Sequence, residues 1–173
     1  VDYAMVLQHP VGLPETQEAK HMRATIKALG KMPFMVVMPN QDPGCEGIRK
    51  AIETSRVKVV PHLKREQFIA LLKRAAVLVG NSSAGLIEAA AVRKGGVPVV
   101  NIGPRQHGRE KPTNVIDCDY GKESVQQAIK QALTNPPQCR KHPYGEGYAG
   151  KQIADILAKL DLEKLSVGKQ NQY

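Results

Sequence analysis

Short apolar runs alternate with stretches of helical periodicity along this chain, and that alternation restricts the fold more than any other feature. The runs Tyr3–Leu7, Phe34–Met38, Val57–Val60, Val77–Val79, Val97–Asn101 and Val115–Asp117 are rich in β-branched residues and apolar at successive positions. Strands covered on both faces have this pattern. Between them Ala19, Met22, Ile26 and Leu29 form one stripe after Pro14, which suits a first-turn position. Ile48 and Ile52 mark a second, shorter helix, and Phe68, Leu71, Leu72 and Ala75 a third. Leu86, Ile87, Ala90 and Ala91 mark a fourth, stopped by Gly95-Gly96. Val125, Ile129 and Leu133 mark a fifth, ended by Pro136-Pro137, and Ile153, Ile156, Leu157 and Leu160 the last. The expectation is an α/β chain with a doubly wound, Rossmann-like parallel sheet of about six strands, connected by right-handed crossovers.

Such sheets bind ligands beyond the carboxyl ends of their strands. The loops to read are therefore 9–14, 39–44, 61–64, 80–85 and 102–109. No internal repeat or low-complexity segment interrupts the pattern. Residues 1–165 read as one domain and Ser166–Tyr173 as a polar, frayed tail. The chain opens on Val1 with a strand following at once, so an N-terminal portion is expected to be missing.

Composition narrows the function classes. The chain has no Trp and two Phe, which disfavours stacking on nucleic-acid bases. Cys45, Cys118 and Cys139 are odd in number and far apart, with no C-x-x-C spacing. Neither a disulfide framework nor a metal site is expected, and a reducing cytoplasm is the simplest setting. No run approaches membrane-spanning length, and no signal peptide leads the chain. The net charge of +9 suits an anionic ligand, but its bases are spread throughout, as on a solvated basic surface.

The segment Gly80-Asn81-Ser82-Ser83-Ala84-Gly85 is the most informative loop. Serines at a helix start cap its free amides, and those amides with the helix dipole favour an anion. Gly85 would let a phosphate approach the backbone closely. Glu88 is not a capping-box acid and could accept two hydrogen bonds from a ribose diol. An ordinary N-capped helix with an acidic first turn accounts for the same residues. Asn81-Ser82-Ser83 also spells a glycosylation acceptor, taken here as coincidence.

His9 follows the first strand directly, where a histidine can act as acid, base or phosphate donor, or do nothing. Asn40 lies in a turn whose Asn-x-Asp-Pro-Gly chemistry could explain it alone. His62 and Leu63 follow the third strand and could face a base ring or merely connect. Arg105 and Arg109, with His107, sit on a glycine-bounded loop that suits a phosphate clamp or a solvated basic surface. Gly145-Glu146-Gly147-Tyr148-Ala149-Gly150 matches a dinucleotide-binding fingerprint literally, but it follows a Pro-rich loop instead of a strand. No P-loop signature is present.

Taken together, Gln8-His9-Pro10-Val11, Pro39-Asn40-x-Asp42, Pro61-His62-Leu63, Gly80-Asn81-Ser82-Ser83-x-Gly85-Leu86-Ile87-Glu88 and Gly103-x-Arg105-Gln106-x-Gly108-Arg109 resemble the UDP-N-acetylglucosamine 2-epimerase family. Asn114-Val115-Ile116-Asp117 and Pro143-Tyr144-Gly145-Glu146-Gly147 continue in the same order. The resemblance implies a two-domain GT-B fold, of which this chain is the C-terminal, UDP-binding half. It implies that Ser82 and Ser83, with Gly85, hold the diphosphate and Glu88 the ribose. It puts His62 and Leu63 at the uracil, Asn40 near the nucleotide, and Arg105 (with Arg109 as an addition) at the phosphates. His9 would be catalytic, beside the scissile sugar–phosphate bond.

The implied reaction removes the C2 proton and UDP to give a glycal, with water then releasing N-acetylmannosamine. His9-Pro10 and Asn81-Ser82-Ser83-Ala84 resemble the hydrolysing branch, which feeds sialic-acid-like sugar synthesis. The family's carboxylates lie mainly in the N-terminal half, so this chain alone is expected to bind UDP weakly and turn nothing over. No cofactor is implied, the partners are a UDP-sugar and the missing domain, and a homodimer would be in keeping with the family. Two rivals stand beside this reading. One is the donor-binding half of a GT-B glycosyltransferase; the other, suggested by charge alone, is a nucleic-acid-binding module.

Overall fold

The structure is a computed structural model that describes residues 2–145, 147–161 and 164. The chain divides into two compact units, Val1–Pro143 and Tyr144–Tyr173. In the first, strands β1 (Ala4–Leu7), β2 (Phe34–Val37), β3 (Val59–Val60), β4 (Val77–Gly80), β5 (Val99–Ile102) and β6 (Val115–Cys118) form one sheet in the order β3-β2-β1-β4-β5-β6. Every neighbouring pair is parallel. This is the expected doubly wound sheet. Its order reverses between β1 and β4, which makes their carboxyl ends the switch point.

The two-faced apolar strands explain the layers. Ala4, Val6, Val77, Val79, Val100 and Ile102 point to one face. There they meet α1 (Glu15–Leu29), α2 (Cys45–Thr54) and α5 (Lys122–Thr134) through Met22, Ile48, Ile52 and Ile129. Met5, Leu7, Leu78 and Val99 point to the other, against α3 (Arg65–Arg74) and α4 (Glu88–Ala91) through Leu72 and Ala89. The side-chain period of two thus feeds two cores from the same strands.

Three expectations are corrected. Pro14 lies just before α1, with its φ of −53° and ψ of 142° outside the helix. The fourth helix shrinks to the single turn Glu88–Ala91, and Ile87, expected on its buried stripe, is exposed. Leu133 of α5 is exposed as well.

The second unit contains α6 (Ala149–Lys159), whose Ile153, Ile156 and Leu157 are all exposed. Residues 143–145, 147 and 148 before it form no strand, so the glycine fingerprint lacks its context there as expected. The tail from Ser166 lies outside the described residues. Among the described residues no helix is long and apolar enough to cross a membrane. The three thiols are free, and burial followed by the nearby Asp119 and Asp117 charges pushes Cys118 up to about 12.

Candidate functional site

The switch point is organised by Asn81, the first residue after β4. Its register places Gly80 opposite Leu7, and the Asn81 amide donates to the Leu7 carbonyl at 3.2 Å. Its side chain extends that ladder: the His9 amide donates to Asn81 Oδ1 at 2.7 Å, and Asn81 Nδ2 donates to the His9 carbonyl at 2.8 Å. Its carbonyl receives Gln106 Nε2 at 2.7 Å and Arg105 Nη1 at 3.3 Å, from the 3-10 turn Pro104–Gln106 after β5. One buried residue thereby binds the loops following β1 and β5 to the end of β4.

His9 stands in the crevice so formed. The Asn40 amide, after β2, donates to His9 Nδ1 at 3.1 Å, and His9 Nε2 lies 3.3 Å from Ser82 Oγ. Burial lowers the pKa of His9, and the Arg105 guanidinium adds to the effect; the Asn40 side chain and the Asp42 carboxylate pull the other way. Asn40 Nδ2 also donates to Asp42, which lies 4.0 Å from Arg105 Nη2. Four loops therefore converge on one donor-rich crevice that holds the Arg105 guanidinium and, 4.0 Å from it, the Asp42 carboxylate.

The serines act differently from the expected helix cap. Ser82 Oγ accepts from the Ala84 amide at 3.3 Å, but the turn it caps is a 3-10 turn, Ser83–Gly85. No long helix begins here, so no helix dipole of any length points at the site. The amides of Ala84, Gly85, Leu86 and Ile87 are occupied by Ser82 and Ser83 oxygens. Gly85 is buried, and a Cβ on it would lie 2.8 Å from Val99 Cγ1, so packing on β5 already accounts for its missing side chain.

A sequence model described as UDP-N-acetylglucosamine 2-epimerase matches residues 1–158. The chain belongs to that epimerase family. It is 31% identical over 98% of its length to UDP-N,N'-diacetylbacillosamine 2-epimerase (hydrolyzing) of Legionella pneumophila, and covers 46% of that protein. It is 32% identical over 77% of its length to UDP-N-acetylglucosamine 2-epimerase of Neisseria meningitidis, covering 36% of it. The chain thus spans less than half of either relative. In fold it is similar to the Methanocaldococcus jannaschii UDP-GlcNAc 2-epimerase solved with UDP-GlcNAc and UDP. There the TM-score is 0.69 and the identity 17%, over 91% of this chain and 45% of that one.

In this epimerase-family chain His9, Asn40, Ser82 and Arg105 come together as one group, with Ser83 beside them. Glu88 belongs to a neighbouring group: Arg65 Nη1 reaches Glu88 Oε1 at 3.4 Å, which ties the segment after β3 to the start of α4. His62 is exposed in that segment, while Leu63 packs partly into the core on the α3 side. Arg109 is exposed, and only its amide is tied down, to the Gln106 carbonyl. Among the described residues no group of three or more His, Cys, Asp or Glu is placed to hold a metal ion.

Four residues of the epimerase-family site carry weight that their sequence context hides. Asn81 is the hub. Gln106 is its buried second tie. Gly80, at φ 144°, sits where a Cβ would run into the Leu7 carbonyl oxygen. Glu18, on α1 and 1% exposed, turns inward so that Oε1 accepts from the Val11 amide at 2.7 Å and the Leu13 amide at 3.2 Å. It fixes the loop that carries His9. The signal that the sequence carries for the hub is a polar residue directly at a strand end, with a Gly-x-Arg-Gln loop after the next strand.

Proposed function

We propose that this chain is the nucleotide-holding half of a hydrolysing UDP-sugar 2-epimerase. One observation carries the reading: Asn81 gathers the loops after β1, β4 and β5, and His9 brings in the loop after β2, at a crevice on the sheet's switch point lined by donors and a guanidinium. Ser82, Arg105 and the main-chain amides of Ser82 and Ser83 hold the diphosphate, with His9 beside the sugar–phosphate bond and Asn40 near the nucleotide. Glu88 takes the ribose hydroxyls, and His62 with Leu63 flanks the uracil. The base end then lies on the β3 side of the sheet and the diphosphate at β1 and β4.

The reaction removes the C2 proton and UDP from a UDP-2-acetamido sugar, leaving a glycal, and water adds to give the free 2-epimer. Negative charge grows on the departing diphosphate. Donors already fixed by Asn81 stabilise that charge without reorganising. Carboxylates that move the C2 proton are expected in a further domain, so the chain alone binds UDP and turns nothing over.

Incubation of the full-length protein with UDP-N-acetylglucosamine, and separately with UDP-N,N'-diacetylbacillosamine, tests this. Without any acceptor, one of them should yield UDP and a free 2-epimerised sugar. The relative from Legionella pneumophila is named for the second substrate and for hydrolysis, which supports including it. No release from either would overturn the epimerase reading.

A further inference from the structure

The ring of His9 has two different neighbours, and they are not interchangeable. Nδ1 faces a main-chain N–H, that of Asn40, at 3.1 Å. An amide N–H can only donate, so Nδ1 must be the bare, accepting nitrogen. In neutral imidazole the single ring proton then sits on Nε2. Nε2 lies 3.3 Å from Ser82 Oγ, so its N–H donates to that oxygen.

Ser82 Oγ also accepts from the Ala84 amide at 3.3 Å. A hydroxyl oxygen has two lone pairs and one proton. With both lone pairs occupied, the Ser82 proton has no choice but to point away from His9 and Ala84, into the crevice.

We infer that His9 is a positioning residue held in its Nε2–H form by the Asn40 main chain, and that it turns the Ser82 hydroxyl proton toward a ligand anion. The inference rests on the nucleotide-binding reading for the identity of that anion, the diphosphate of UDP. The charged groups acting on the ring are Arg105 and Asp42. Burial and Arg105 both disfavour a charged ring, which agrees with a neutral donor. One competitor is built into the site: Asn40 Oδ1 is buried without a partner and would accept a proton from Nδ1 in the opposite tautomer.

Long-range proton–nitrogen spectra of the chain labelled with 15N-histidine decide between them. His9 should show a bare Nδ1 and a protonated Nε2 at neutral pH. The same signature should persist in Asn40→Ala, which keeps the main-chain donor and removes Oδ1. A proton on Nδ1, averaging of the two nitrogens, or a changed signature in Asn40→Ala overturns the assignment.

Calorimetry with UDP tests the second half. Ser82→Ala should weaken UDP binding about tenfold. His9→Phe, which keeps the ring and loses the donor, should weaken it by a similar factor. Because His9 acts through Ser82, the double variant should lose no more than Ser82→Ala alone. Losses that multiply would overturn the positioning role. If the unsubstituted chain binds no UDP while the ring signature is as stated, the nucleotide reading falls and takes the Ser82 role with it, leaving the ring assignment standing.

Discussion

The side chain of Asn81 and the main chain of His9 exchange two hydrogen bonds, at 2.7 and 2.8 Å, across a separation of 72 residues in sequence. The pair continues the β1–β4 ladder past its last backbone bond and sets the height at which His9 enters the crevice. Asn81→Ala would strip both bonds from a buried site. A loss of about 2–3 kcal/mol is expected, together with UDP binding. Urea denaturation and calorimetry measure the two, and unchanged stability would refute the hub.

Glu18→Ala should loosen the loop 9–14 without touching the crevice directly. The amides of Val11 and Leu13 would lose their common acceptor. Glu18→Gln keeps an oxygen at that place and should retain most of the stability, whereas Glu18→Ala should cost about 1–3 kcal/mol. Equal losses in a urea titration would show that charge, not acceptance, matters.

Gly85→Ala should cost about 1–3 kcal/mol by crowding Val99. Val99→Ala should recover part of that loss in the double variant. A loss of UDP affinity without loss of stability would instead point to a phosphate that approaches the backbone there.

The Arg65–Glu88 pair is exposed on the Arg65 side. Such pairs add little to stability, so Arg65→Ala should change it by less than about 1 kcal/mol. Glu88→Ala should leave the fold intact and weaken UDP binding, with 2′-deoxyuridine diphosphate, which keeps only the 3′-hydroxyl, losing less than UDP if the ribose hydroxyls are what Glu88 holds. Isothermal titration of both nucleotides against both chains provides the comparison.

Acid should destabilise the chain through two histidines. Burial, then Arg105, lowers His9; burial lowers His21 as well, with Glu18 opposing and Lys20 assisting. A lowered folded pKa means that the folded chain binds fewer protons than the unfolded one. The contribution is therefore full above the ordinary histidine value of 6.5 and is lost as pH falls through the folded values. Thermal midpoints should be level above 6.5 and decline below it. His21→Phe keeps the stack on Tyr120, whose ring centroid is 3.9 Å away, and should flatten part of the decline.

The sheet was legible because its strands are apolar on both faces, a pattern that few other elements share. The fourth helix was not. Leu86, Ile87, Ala90 and Ala91 have helical spacing, yet Ser82 and Ser83 draw the amides of residues 84–87 into a tighter turn first. Of the site, His9, Asn40, Ser82 and Arg105 were readable as polar residues at strand ends. Asn81 was not, since an Asn before serines reads as a local cap, and only the register of β4 on β1 puts it opposite His9. Glu18 was not singled out, because spacing does not tell which way a first-turn carboxylate turns.

The placement of β1 beside β4 also bears on how the chain reaches its folded form. His9 and Asn81 meet only after the intervening α1, β2, α2, β3 and α3 have been looped out and returned, a long closure whose entropy must be met before the contact yields anything. The crevice thus cannot assemble before that closure is made. A nascent chain that ends before residue 81 cannot possess it, and nucleotide binding would serve as a report that folding has run to completion.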